Sequence, residues 1–326
     1  MFVLRARIRG REPEDERGQN RDRRYPGENS HHVAPTPVDK RSGKPAYKGF
    51  SLGGRRAASH AASRAASWRD AGANARPARV SSRMLINCDM GESYGPWEKG
   101  ADEAVMPLID QANIACGGHA GDPDTMARTL ELATEHGVQA GAHPGYPDRR
   151  NFGRLRLDWP LDSLVLEVQA QIGALRGIAS ALGVRLRHVK PHGALYLAMM
   201  KDDRLLTRLA EGVAALDPSL AFVLQATPER ERHAAMLEHT ELTLAFEAFA
   251  DRAYAADGHL QARGIDGAVL SDPDAVAGHV ANLVDGFVET PAGPLPVAAE
   301  TLCVHGDNPS ATAVLRRIRE LVPRKT

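Results

Sequence analysis

Apolar positions along residues 84–326 alternate between short β-type runs and stretches with a 3.6-residue period. Strands are predicted at 85–88, 112–116, 138–142, 187–190, 221–224, 242–246 and 301–304, with 268–270 a weaker candidate. Helices are predicted between them at 122–136, 161–182, 203–216, 273–289 and 309–322. Asp122-Pro123-Asp124 places a carboxylate and a proline in a first turn. Leu164, Val168, Ile172 and Leu175 make one apolar stripe that stops at Gly183. Strand–helix alternation over this length implies an α/β fold with a mainly parallel sheet, doubly wound or closed as a barrel. The length and the seven or eight strands favour the barrel.

Composition changes the picture at the N-terminus. The 326-residue chain balances 41 Lys+Arg against 41 Asp+Glu, but the basic residues are concentrated in residues 1–83 and the acidic excess in 84–326. Residues 1–83 are rich in Arg, Ala, Ser, Gly and Pro and show no sustained period, so they are expected to be disordered. Phe2-Val3-Leu4 is too short for a secretory core, and Glu12, Glu14, Asp15 and Glu16 speak against a transit peptide. The charge suits a nucleic-acid-binding arm, but no aromatic pattern supports one. The simplest expectation is a start site placed too far upstream, with Met84 as the initiator and 84–326 as the folded domain. No apolar run reaches the ~18 residues of a membrane helix. Three cysteines exclude a disulfide framework and point to a reducing cytoplasm.

Candidate chemistry gathers just past the strands. Asp89 and Glu92 follow the first, His119 the second, His143 the third, and Lys190 with His192 the fourth. Glu247, Asp251 and Arg252 follow the sixth, and His305 and Asp307 the last. In a parallel barrel these C-terminal strand ends form one rim, where active sites lie. Taken singly, Asp89 reads as a helix cap, Glu247 with Arg252 as a surface ion pair, and Asp307 as a turn or cap. His136, His233, His239 and His279 fall in helical stretches and are expected to be solvated. Glycines flank His119, His143, His192 and His305, which suggests close approach of backbone to a ligand.

Asp89, His119 and His143 form a candidate metal triad with open positions; the alternative is hydrogen-bonded substrate binding without metal. Cys88, Cys116 and Cys303 sit inside strands and read as packing residues. No phosphate loop occurs: Ser42-Gly43-Lys44-Pro45 lacks the earlier Gly and the Ser/Thr, and GxGxxG is absent.

The rim motifs carry a resemblance. The stretches 87–95 (NCDMGESYG), 112–123 (ANIACGGHAGDP), 141–148 (GAHPGYPD), 151–154 (NFGR), 189–196 (VKPHGALY), 247–254 (EAFADRAY) and 303–307 (CVHGD) resemble, in order, those of the LamB/YcsF family. The resemblance covers 84–326 and implies an irregular (β/α) barrel of about seven strands, akin to the glycoside hydrolase/deacetylase superfamily. It implies one component, termed A, of a 5-oxoprolinase, which opens 5-oxo-L-proline to L-glutamate with ATP and Mg, beside partner subunits B and C. Gly118 stands where an aromatic is common and Gly145 where Ser is common, a change expected to widen the pocket.

Opening a five-membered lactam is difficult, and phosphorylating its oxygen would make the carbonyl carbon electrophilic. Hydrolysis then needs a positioned water, a base and cations facing the oxyanion. His119 or His143 would serve as base or metal ligand, Asp89 as ligand or orienter, and Lys190 would face phosphate or oxyanion, with His192 beside it. Arg154 or Arg252 would hold the substrate carboxylate, with Glu92, Glu247 and His305 in the binding set. Two rival readings are a stand-alone metal-dependent deacetylase or amidohydrolase, and a non-catalytic subunit that delivers substrate to a partner.

Overall fold

The computed structural model describes residues 84–306 and 310–324. The expected extension at 1–83 and the reading of Asp307 lie outside them.

Seven strands close a parallel barrel in the order β1 (Leu85–Met90), β2 (Gln111–Ala115), β3 (Gln139–His143), β4 (His188–Val189), β5 (Ala221–Gln225), β6 (Thr243–Phe249) and β9 (Thr301–Val304). β9 lies between β6 and β1 and seals the barrel, pairing Glu247 with Thr301 on one side and Asn87 with Cys303 on the other. The barrel expectation therefore holds.

Helices wrap the outside because each presents one apolar stripe. α1 (Asp102–Val105) is a single turn before β2. α2 (Pro123–Glu135) is capped by Asp122, whose carboxylate accepts from the Thr125 N–H, and it buries Met126, Leu130 and Ala133. α3 (Leu161–Ala181) buries the predicted Leu164, Val168, Ile172 and Leu175. α4 (Gly193–Met199) follows β4 directly, and α5 (Asp203–Leu216) is capped by Asp202. α6 (Arg230–Leu237), α7 (Pro273–Val284) and α8 (Ala311–Leu321) complete the ring.

Two expectations are corrected. The helix predicted over 273–289 ends at Val284, because Gly286 adopts φ +90° and turns the chain into an antiparallel hairpin of β7 (Phe287–Thr290) and β8 (Gly293–Pro296). Residues 268–270 form no strand; Val269 makes only an isolated bridge with Arg252.

The strands bury two different faces. Ile86, Cys88, Met90, Ala112, Ile114, Ala140, Ala142, Phe222 and Leu224 pack in the apolar core. The alternate positions Asn87, Asp89, Asn113, His143, His188, Gln225, Glu247 and Thr301 are also buried, and most of them hydrogen-bond one another. The barrel lumen is therefore polar from its middle upward, and the site grows out of it.

Candidate active site

Lys190 enters the lumen just past β4 and is only 3% exposed. Its Nζ lies 3.2 Å from Asp89 Oδ1, 3.1 Å from Glu247 Oε2, 3.2 Å from Asn87 Oδ1 and 3.0 Å from Cys303 Sγ. Burial opposes its charge, but Asp89, Cys303 and Glu247 outweigh burial and hold the ammonium well above its ordinary range. Burial likewise opposes charge on Asp89, yet His143 and Lys190 hold that carboxyl well below its ordinary range. Both are therefore charged at neutral pH. Glu247 is no surface residue paired with Arg252; it is fully buried beneath Lys190.

Asn87 and Asn113 orient this group. The Asn113 amide donates to Asn87 Oδ1 and Asp89 Oδ1, at 2.8 and 2.9 Å. His188 Nε2 donates to Asn113 Oδ1 at 2.8 Å, and burial depresses its pKa to about 3. The His188 ring occupies space left by Gly141, where a Cβ would stand 2.2 Å from Nε2.

A histidine cluster sits above. His143 Nδ1 lies 2.6 Å from the Lys190 carbonyl and His192 Nε2 lies 2.9 Å from the Phe152 carbonyl. Carbonyls only accept, so both outer nitrogens carry hydrogens. In neutral rings the inner nitrogens, His143 Nε2 and His192 Nδ1, are then both bare, yet they face each other at 2.9 Å. A proton or a metal cation at this point reconciles two opposed lone pairs. His119 stacks on His192 with ring centroids 3.6 Å apart, and neither of its buried nitrogens has a hydrogen bond. Its Nε2 lies 3.5 Å from Glu92 Oε1. Burial, then His192 and His143, depress the His119 pKa well below the usual imidazole range.

Glu92, His119, His143 and His192 each offer one donor atom, all within 4.8 Å of one another. Three imidazoles and a carboxylate suit a first-row divalent metal, and the orphaned nitrogens of His119 fit that occupant. Of the expected triad, His119 and His143 belong to this group; Asp89 stands 3.4 Å from His143 Nε2 and belongs to a second group with Cys303 and His305.

A cavity of about 500 Å³ opens over both clusters, lined by Asp89, Glu92, His143, Arg154, Lys190, His192, Arg252 and His305 among others. His119 and Glu247 stand behind this lining. Arg252 is buried, donating to the Ala268 and Gln261 carbonyls at 3.2 and 2.5 Å, and has no carboxylate partner among the described residues. Burial, then the like charge of Arg263, lower its pKa to about 10. Arg154 is exposed at the mouth, its guanidinium 4.9 Å from the Phe152 ring centroid. His305 Nδ1 lies 2.9 Å from Asp251 Oδ1, and Asp251 also accepts from the His305 N–H.

Several readings change. Gly118 does not widen the pocket: the Gln171 amide fills its space, 2.4 Å from where a Cβ would stand. Gly145 packs on His119, with Nδ1 2.9 Å from such a Cβ. The glycines beside these histidines thus admit protein groups. Cys303, read as packing, contacts Lys190. Of the helical histidines, His239 is exposed, His136 half-buried and His233 buried, while half-buried His279 donates to the Phe249 carbonyl at 3.1 Å. Asn87, Asn113, His188 and Cys303 went unread; the available signal was polar residues at alternate positions within strands.

Known proteins share this chain's sequence across the barrel. A Pseudomonas putida protein, the second of that organism's 5-oxoprolinase A subunits, is 50% identical to it over 244 residues, covering 74% of this chain and 95% of that protein. The 5-oxoprolinase A subunit of Syntrophobacter fumaroxidans is 48% identical over 240 residues, covering 73% of this chain and 94% of that protein. Among solved structures the chain resembles the lactam utilization protein from Thermus thermophilus, with TM-score 0.67 and 38% identity over 73% of this chain and 95% of that one. The family model matches residues 84–326 from end to end of the barrel, and the chain belongs to the LamB/YcsF family.

Proposed function

We propose that this protein is the A component of an ATP-dependent 5-oxoprolinase, a cyclic amide hydrolase that converts 5-oxo-L-proline to L-glutamate. The observation that carries the reading is the match over nearly the whole length of relatives named as 5-oxoprolinase A subunits, at up to 50% identity. Residues 84–326 form the functional unit, acting in the cytoplasm with subunits B and C. No described helix is long and apolar enough to cross a membrane.

The substrate carboxylate pairs with Arg252, whose buried guanidinium lacks a carboxylate, and with Arg154 at the mouth. Lys190 directs charge toward the developing oxyanion or the phosphate of an activated amide, with Asp89 and Glu247 balancing it. The His143–His192 pair, held at both ends by carbonyls, orients an attacking water, with Glu92, His119 and His305 around it. A divalent metal held by Glu92, His119, His143 and His192 would supply Lewis-acid polarisation of that water. ATP with Mg supplies the phosphoryl group that makes the amide electrophilic.

The test mixes the full chain with 5-oxoproline and ATP, with and without purified B and C. The chain alone should release almost no glutamate; the three together should release glutamate and phosphate in about equal amounts. ATP-independent turnover by the chain alone would overturn the reading.

A further inference from the structure

Eight large apolar side chains are exposed among the described residues, and their distribution is uneven. Trp97, Leu155, Leu197, Ile265 and Val269 all stand on segments that follow the C-terminal ends of β1, β3, β4 and β6. They therefore surround the cavity mouth. Isolated exposed apolar residues need no explanation, but five around one opening mark an interaction surface. Trp97 is 69% exposed yet rigidly held. Tyr94 and Trp97 exchange both backbone hydrogen bonds, at 2.9 and 3.0 Å, and their rings stack with centroids 6.4 Å apart. The Arg149 guanidinium lies over the Tyr94 ring, 4.2 Å from its centroid. A large aromatic already fixed in place loses little freedom on binding, as interface anchors require.

The charges inside this ring are one-sided. Arg154, Arg156, Lys201 and Arg263 are the exposed charged residues that line the cavity, and all are positive. Two copies meeting through this face would set these cations against each other, so a second copy of the chain is the wrong occupant.

We propose that the C-terminal face of the barrel is the docking surface for a partner subunit whose contact face is apolar at its edge and acidic at its centre. Such a partner closes the cavity and excludes water from the activated amide. The inference rests on the 5-oxoprolinase reading and adds where the partner binds.

The test measures binding of purified B and C subunits to the immobilised full chain. Trp97→Asp, Leu197→Asp and Ile265→Asp should each weaken association about ten-fold or more. Leu182→Asp and Leu321→Asp change comparably exposed leucines at the ends of α3 and α8, where the chain has reached the opposite end of the barrel. These controls should bind within about two-fold of the unmodified chain. Arg263→Glu should weaken association and flatten its salt dependence. Melting curves establish that each variant is folded, and Trp97→Lys replaces any that is not. Unimpaired binding by the rim variants, or losses confined to the controls, would overturn the docking surface while leaving the 5-oxoprolinase reading intact. No binding of B and C to the unmodified chain would overturn both.

Discussion

His143 Nε2 and His192 Nδ1 face each other at 2.9 Å while the outer nitrogen of each ring is committed to a backbone carbonyl. Neither ring can turn to relieve the contact without abandoning a buried carbonyl, so the pair is a fixed holder for a positive particle. Replacing either ring removes the holder. His143→Ala and His192→Ala should each lower turnover of the reconstituted enzyme by at least about 100-fold. Both should also lower the metal that copurifies, measured by elemental analysis. His136→Ala, at the end of α2, should change neither. Full metal content in both ring variants would leave a shared proton as the occupant.

Lys190 Nζ lies between Asp89 and Glu247, at 3.2 and 3.1 Å, and all three are buried. Removing the lysine leaves two carboxylates facing each other without a counter-charge. Lys190→Met should therefore suppress turnover and also destabilise the fold by about 3–5 kcal/mol. The preserved aliphatic stem does not prevent that loss. Adding Glu247→Gln should recover part of the stability but none of the activity. Denaturant unfolding read beside a glutamate assay separates the two effects. Wild-type stability in Lys190→Met would show that the carboxylates take up protons without penalty.

How far the sequence discloses this site depends on which neighbours are local. The rim residues Asp89, His119, His143, Lys190, His192 and His305 are readable because each follows an apolar run, and parallel strands bring such ends together. The lumen partners are not. Asn87 meets Glu247 and Thr301, 160 and 214 residues away, through a register that no local pattern encodes. Cys303 reads as a small apolar residue, and only barrel closure puts it beside Lys190. The β7–β8 hairpin hides because Phe287 and Val288 extend the helical spacing of Val280 and Val284. Gly286 was the available stop signal.

Asp251 and His305 offer a pH test outside the histidine cluster. Burial opposes charge on Asp251, but His305 and its backbone N–H hold that carboxyl below its ordinary range. A depressed carboxyl stabilises the fold above its unfolded pKa and loses that contribution as pH falls through the folded value. The protein should therefore lose stability on the acid side of about pH 4. Asp251→Asn should flatten that limb and cost about 1–3 kcal/mol near neutrality. Thermal melts across pH check both. A variant with the same acid slope as the parent would assign the slope to other carboxylates.

Gly141 faces the lumen where the His188 ring crosses the barrel, and a Cβ there would stand 2.2 Å from Nε2 and 2.3 Å from Cδ2. The ring cannot retreat freely, because His188 Nε2 donates to Asn113, which in turn donates to Asn87 and Asp89. Gly141→Ala should therefore cost about 1–3 kcal/mol by overpacking. It should also lower turnover through the displaced Asn113 and Asp89, although residue 141 touches no substrate. Combining it with His188→Ala opens the space and should restore much of the lost stability. Activity should return only in part, because Asn113 would still lack the donor that orients it. Unfolding midpoints and turnover for the two single variants and the double variant form the measurement. Additive losses in the double variant would mean that the two positions do not compete for the same space.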